Sequence, residues 1–184
     1  MNEKQKAKII IKTLNKIYPK APVPLKSKNT FTLLISVILS RGNSSRLYNS
    51  LVKDQRLFSE IDAFVGGDLD PGLFYFAGKL APGIDMHEAE KGIDTEMEKL
   101  KIDIVKDNEL RKVKNKVVSA HMFSELNILN KAINLATSEL VGDANIVNKQ
   151  IECYEKVSSE KIQLIAQDIF RKENSNTLYY YAKR

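Results

Sequence analysis

A chain of 184 residues, 43% hydrophobic and 28% charged, is long enough for one well-cored domain, or for one domain plus an appendage. Its longest apolar run, Phe31 to Leu39, is interrupted by Ser36 and is too short to span a bilayer, which points to a soluble globular protein with no membrane partner. A single cysteine, Cys153, excludes an intrachain disulfide and any four-cysteine zinc or iron–sulfur site. The lysine-rich start has no apolar stretch followed by a small-residue cleavage site, so the cytoplasm is the expected compartment.

The net charge of +6 is concentrated at one end. Residues 1–28 hold eight lysines against Glu3, a balance of +7, which leaves −1 for residues 29–184. Lys4, Lys8, Lys12 and Lys16 lie opposite an apolar stripe of Ile9, Ile10, Leu14 and Ile17, and the spacing predicts a short amphipathic helix over residues 3–17. The pattern suits a solvated lysine face better than a nucleic-acid site, but these lysines are the candidate contacts for a polyanion.

Pro19, Pro22 and Pro24 end that helix and predict an extended connector to Lys28. Asn29 or Thr30 can cap a second helix with Phe31 to Leu39 as its body, closed by Ser40-Arg41-Gly42-Asn43. A third helix fits Ser44 to Lys53. From Leu57 the period changes: Phe58, Ile61, Phe64 and Val65 in one β-rich run and Leu73 to Leu80 in another predict an antiparallel hairpin across Asp68-Leu69-Asp70-Pro71-Gly72.

After Pro82-Gly83 the chain reads as helices: from Asp85 or Met86 to about Leu100, and from Asp107 to Val141 in one or two pieces. Gly142-Asp143 breaks the run. Two more helices follow, Asn145 to Tyr154 and Ser158 to Arg171, the latter opened by a serine cap. Met122, Phe123, Leu126, Leu129 and Ile133 recur at helical spacing and are expected in the core, and Cys153 is expected to be buried. The aromatic tail Thr177 to Ala182 reads as a last strand returning to the sheet.

Strands followed by runs of helices imply an α+β fold, an antiparallel sheet with helices on one face. Three strands make a thin sheet with two edges, which suggests part of a larger one.

The strings Ile38-Leu39-Ser40-Arg41-Gly42-Asn43-Ser44-Ser45-Arg46-Leu47-Tyr48, Asp70-Pro71-Gly72-Leu73-Phe74, Val113-Lys114-Asn115-Lys116 and Asn174 to Tyr181 resemble, in register, the C-terminal half of M16 (insulinase and mitochondrial-processing-peptidase) zinc peptidases. The resemblance runs over about residues 38–184 and implies a larger antiparallel sheet whose first strands are missing here. Residues 3–40, through Leu14-Asn15-Lys16-Ile17-Tyr18-Pro19, Pro22-Val23-Pro24-Leu25 and Phe31 to Ser40, look like the opening helices of endonuclease III, a helix-hairpin-helix DNA glycosylase. The two resemblances together imply a chimera, with an endonuclease III-like segment over 1–40 and an incomplete M16 C-terminal-like domain over 41–184.

Neither resemblance brings catalysis. M16 chemistry needs His-x-x-Glu-His, and the nearest string, His87-Glu88-Ala89-Glu90-Lys91, puts an ammonium where the second imidazole should ligate zinc. Only His121 remains as another imidazole, so no metal or other cofactor is expected and His87 reads as a surface residue at a helix start. The family's substrate-binding arginine and tyrosine correspond to Val52 and Ser59, with Lys53 and Arg56 as possible neighbouring substitutes. The endonuclease III catalytic lysine, aspartate and cysteine cluster fall beyond the matched part.

The expected function is a non-catalytic module that binds peptide, pairs with an M16-like catalytic subunit, or forms a homo-oligomer. The alternatives are weak, non-specific nucleic-acid association through the basic arm, or a fusion product without selected function.

Overall fold

The computed structural model describes residues 30–66 and 72–181. The expected lysine helix, the proline connector and the tip of the hairpin lie outside the described residues.

Helix α1 spans Thr30–Ser40 and is buried along most of its length; Leu34, Ile35 and Leu39 have no exposed surface. A helix this apolar is a core element, and it lies on the inner face of the hairpin. Its last residue is tied there too: the Ser40 hydroxyl donates to the Ala63 carbonyl at 2.7 Å.

The next segment departs from the expected α-helix. Tyr48–Asp54 winds as a π-helix, with Leu47 and Leu51 both fully buried one turn apart. The wider winding leads into a reversal at Gln55 and Arg56, where the Leu57 amide donates to the Leu51 carbonyl at 2.8 Å.

The hairpin is present where the two β-rich runs predict it. Strand β1, Phe58–Gly66, pairs antiparallel with β2, Leu73–Leu80, and the register runs from Phe58 opposite Leu80 to Gly66 opposite Leu73. A bulge between Phe58 and Glu60 leaves Ser59 as the extra residue. Ile61, Ala63 and Val65 alternate inward. Phe58 is buried, while Phe74 and Phe76 are half-buried and close an aromatic cluster with Phe170, at 5.1 and 5.8 Å between ring centroids. Phe64 stays exposed on the outer face.

Helix α2, Met86–Ile102, opens on Asp85, whose carboxylate accepts from the His87 and Glu88 amides. It crosses close to the π-helical segment at Gly92, where a β-carbon would stand 2.8 Å from Leu57 and 3.0 Å from Leu51, so the helix–loop spacing depends on that glycine. The long helical run resolves into two helices, α3 (Asp107–Ser124) and α4 (Ile128–Val141), parted by a turn that Asn127 caps. Gly142 ends α4 at φ +124°, a conformation that suits glycine. Helices α5 (Ile146–Glu155) and α6 (Ser159–Ile169) follow, the latter capped by Ser158 as its sequence predicts.

Three expectations are corrected. Met122, Phe123, Leu126, Leu129 and Ile133 are not core: all are more than half exposed, lying at the end of α3, in the turn after it and on α4, a helix of which only Ser138 is buried. Cys153 is exposed, on a helix, α5, with no fully buried residue. The tail from Ser175 to Tyr181 is not a strand, and the sheet has two strands among the described residues. The tail's hydroxyls bond to α2 instead. The remaining layout is the expected α+β one, helices against one face of an antiparallel sheet.

Candidate functional site

The expected substrate-binding positions lie on the stretch that carries the chain from α1 into the hairpin. Val52 is half-buried and packs against the core from the π-helical segment, so its side chain supports structure. Ser59 sits in the β1 bulge with its hydroxyl donating to the Lys79 and Leu80 carbonyls, at 3.0 and 3.4 Å. That hydroxyl is engaged in holding the hairpin base. Lys53 and Arg56 are both exposed beside them. Arg56 has φ +55°, a left-handed conformation that costs a residue with a β-carbon about 1–2 kcal/mol. Glycine at this place would take that conformation without strain. Lys4, Lys8, Lys12 and Lys16 lie outside the described residues.

A polar cluster that sequence reasoning missed joins the tail to α2. Tyr179 donates from its hydroxyl to Glu90 Oε2 at 2.5 Å and lies 3.1 Å from His87 Nδ1, while the Thr177 hydroxyl donates to Glu90 Oε1 at 2.7 Å. Thr177 and Tyr179 are two apart on an extended chain and so reach the same carboxylate from one side. His87 and Glu90, at i and i+3, share a helix face, and the imidazole meets the Tyr179 ring edge-on at 5.2 Å between centroids. The two hydroxyl donors hold the Glu90 carboxyl below its ordinary range, and the same bond to Glu90 pushes the Tyr179 phenol up to about 12. A hint was present in the spacing of His87 and Glu90, but their partners are some 90 residues away. The cluster anchors the tail. Among the described residues, no three side chains of metal-binding type converge.

A forked ion pair links the segment after α1 to α3. Arg46 donates from Nε and Nη2 to the two carboxylate oxygens of Glu109, at 2.9 and 2.8 Å, in a forked geometry that is largely withdrawn from solvent. That hydrogen bonding raises the Arg46 pKa further still.

The outer side of the hairpin carries exposed apolar side chains. Phe64 and Tyr75 stack there at 5.2 Å, half exposed, beside Leu73. Each strand has an outer edge that no other described strand pairs. Among the described residues no helix is long and apolar enough to cross a membrane.

Residues 20–117, over half of the chain, match the family model described as the Peptidase M16 inactive domain. Among solved structures, a protease from Helicobacter pylori superposes with a TM-score of 0.74 at 22% identity, over 83% of this chain and 37% of that one. The chain thus spans little more than a third of that protease. A candidate zinc protease from Bordetella pertussis Tohama I gives a TM-score of 0.70 at 26% identity, covering 79% of this chain and 80% of that one. The inactive peptidase domain of a candidate zinc protease from Bordetella parapertussis gives 0.73 at 24% identity, covering 82% and 83%. No curated protein matches the chain.

Proposed function

The chain belongs to the Peptidase M16 inactive domain family and is non-catalytic, and from that premise we propose that it serves as the accessory half of a split peptidase. Its partner would be an M16 subunit carrying His-x-x-Glu-His. The observation that carries this reading is the hairpin: two strands with both outer edges unpaired among the described residues, and an outer face bearing Phe64, Leu73 and Tyr75. A strand from a partner, or an extended peptide held for it, would satisfy those backbone groups by strand addition. The substitution of the family's arginine and tyrosine by Val52 and Ser59 leaves backbone pairing, with Lys53 and Arg56 nearby, as the means of holding peptide.

The test is co-expression with the nearest M16 subunit of the same genome that carries the zinc motif. A stable complex is expected, with hydrolysis of an unstructured fluorogenic peptide that neither chain shows alone. Phe64→Lys should weaken the complex by about tenfold, the scale of one central interface residue. Zinc retained and peptide hydrolysed by this chain alone would overturn the reading, as would two chains that sediment separately.

The charge imbalance of residues 1–28 supports a second, weaker activity: salt-sensitive, non-specific binding of nucleic acid through Lys4, Lys8, Lys12 and Lys16. Loss of duplex DNA binding on deleting residues 1–28 is the expected result; unchanged affinity would remove the arm from consideration. The endonuclease III-like character of residues 1–40 stays a proposal about the origin of that segment. The family match takes in residues 20–40, and α1 plays the same part in the core under either origin.

A further inference from the structure

The turn after α1 meets α3 at a hollow of about 20 Å³, whose apolar lining is the buried Val37, Ile38 and Val113. Its polar lining comes from Arg41, Ser44 and Ser45 on the turn and from Lys112 and Lys116, one helical turn apart on α3, with Glu109 beside them. Ser45 is only 3% exposed, and its hydroxyl has no hydrogen-bond partner among the described residues. A hydroxyl so placed has given up water and gained nothing, which costs stability.

The positive charge around this hollow is surplus. Arg41, Lys112 and Lys116 enter none of the ion pairs among the described residues. Glu109 does not compensate them, because both its oxygens are taken by the Arg46 fork, at 2.9 and 2.8 Å. Lys116 reaches only a neutral acceptor, the Arg41 carbonyl, across the Gly42 turn. A β-carbon on Gly42 would stand 2.8 Å from that ammonium, so the turn brings backbone and cation together where glycine leaves room.

We propose that the hollow is the base of a phosphate-binding site. Ammonium and guanidinium groups only donate, and the carboxylate beside them has its oxygens engaged, so the lining fits a ligand that only accepts. The hollow has room for about one water-sized atom and not for a whole anion. One oxygen of a tetrahedral group enters it and takes the Ser45 hydroxyl proton in a hydrogen bond, leaving three oxygens at the mouth for three cations, Arg41, Lys112 and Lys116. A planar carboxylate brings two oxygens and leaves a cation unmatched. A water in the hollow would satisfy Ser45 and leave all three charges as they are. The same geometry serves the free ion and a phosphoryl group carried on a protein chain. None of these residues belongs to the hairpin, so the site stands or falls apart from the pairing proposed above.

The test is a titration of the full, isotope-labelled chain with inorganic phosphate, replacing chloride at constant ionic strength, followed through the backbone amide signals. Saturable shifts confined to residues 41–47 and 112–116 are expected at millimolar concentration or below. Ser45→Ala should weaken binding at least about tenfold, the scale of a hydrogen bond to a charged group. Without phosphate that variant should unfold at the parent's temperature or above it, since its hydroxyl has no partner to lose. Lys112→Gln should weaken binding about two- to fivefold, as for one exposed charge contact, and Lys112→Arg should retain it. Arg111→Gln, on α3 but outside the hollow, should leave binding unchanged. A second titration with a short phosphoserine peptide separates the sources: tighter binding than inorganic phosphate assigns the site to a phosphorylated chain, and equal or weaker binding assigns it to the free ion. Shifts that never saturate, or binding that Ser45→Ala leaves intact, or binding that Arg111→Gln weakens as much as Lys112→Gln does, would overturn the proposal.

Discussion

Helices α1 and α4 are both apolar and of similar length, yet one forms the centre of the molecule and the other presents its hydrophobic side to water. In α1 the apolar residues run almost all round, so any orientation buries something, and the hairpin accepts it. In α4 two polar residues one turn apart, Asn134 and Ser138, define the inward side, and the apolar stripe is left over. Apolar content alone does not say whether a helix belongs to the core. What decides is whether the surrounding elements offer a complementary surface.

That contrast sets the order of expected effects. Leu34→Ala in α1 removes a fully buried side chain among close-packed neighbours and should cost about 2–5 kcal/mol in denaturant unfolding. A loss below 1 kcal/mol, as for an exposed site, would mean that α1 is not the core element described. Next is Glu109→Ala, which strands the withdrawn Arg46 guanidinium. The expected destabilisation is about 1.5–3 kcal/mol, typical of a hydrogen bond to a charged group, and Arg46→Ala in the same background should add little.

Arg56→Gly should stabilise the chain by about 0.5–1 kcal/mol, the left-handed strain relieved less the backbone entropy that glycine adds to the unfolded state. No gain would show that the turn after the π-helical segment relaxes around the arginine. The smallest stability change belongs to α4: Ile133→Glu should stay within about 0.5 kcal/mol of the parent. A loss as large as that of Leu34→Ala would erase the contrast.

The tail offers a pH test. Because its bond to Glu90 raises the folded Tyr179 pKa to about 12, the tail's attachment is fully present below the ordinary tyrosine range near 10 and should be lost as pH rises through that folded value. Glu90 works in the opposite sense: its lowered folded pKa means that its contribution is present above the ordinary carboxylate range and lost as pH falls through the folded value. Protection of the 175–181 segment from proteolysis should therefore fall off at both extremes, and Tyr179→Phe should remove the alkaline limb. Persistence of the alkaline limb in the variant would place the titration elsewhere.

Much of the architecture was legible in the sequence for local reasons. Two β-rich runs marked both strands, Gly142 and Asp143 ended α4, Ser158 capped α6, and Asp85 opened α2. The family strings pointed to an M16 C-terminal fold, and the family match bears that out. What only the tertiary structure decided were relations between distant elements. The five apolar residues from Met122 to Ile133 have the period of a buried face, and period reports that a face exists without reporting what stands opposite it. The aromatic tail has strand-like composition, yet Thr177 and Tyr179 found a carboxylate on α2 before a strand edge. The π-helical winding at Tyr48–Asp54 arises where Leu47 and Leu51 are both buried ahead of the Arg56 reversal, a compromise set by neighbours that no local pattern encodes.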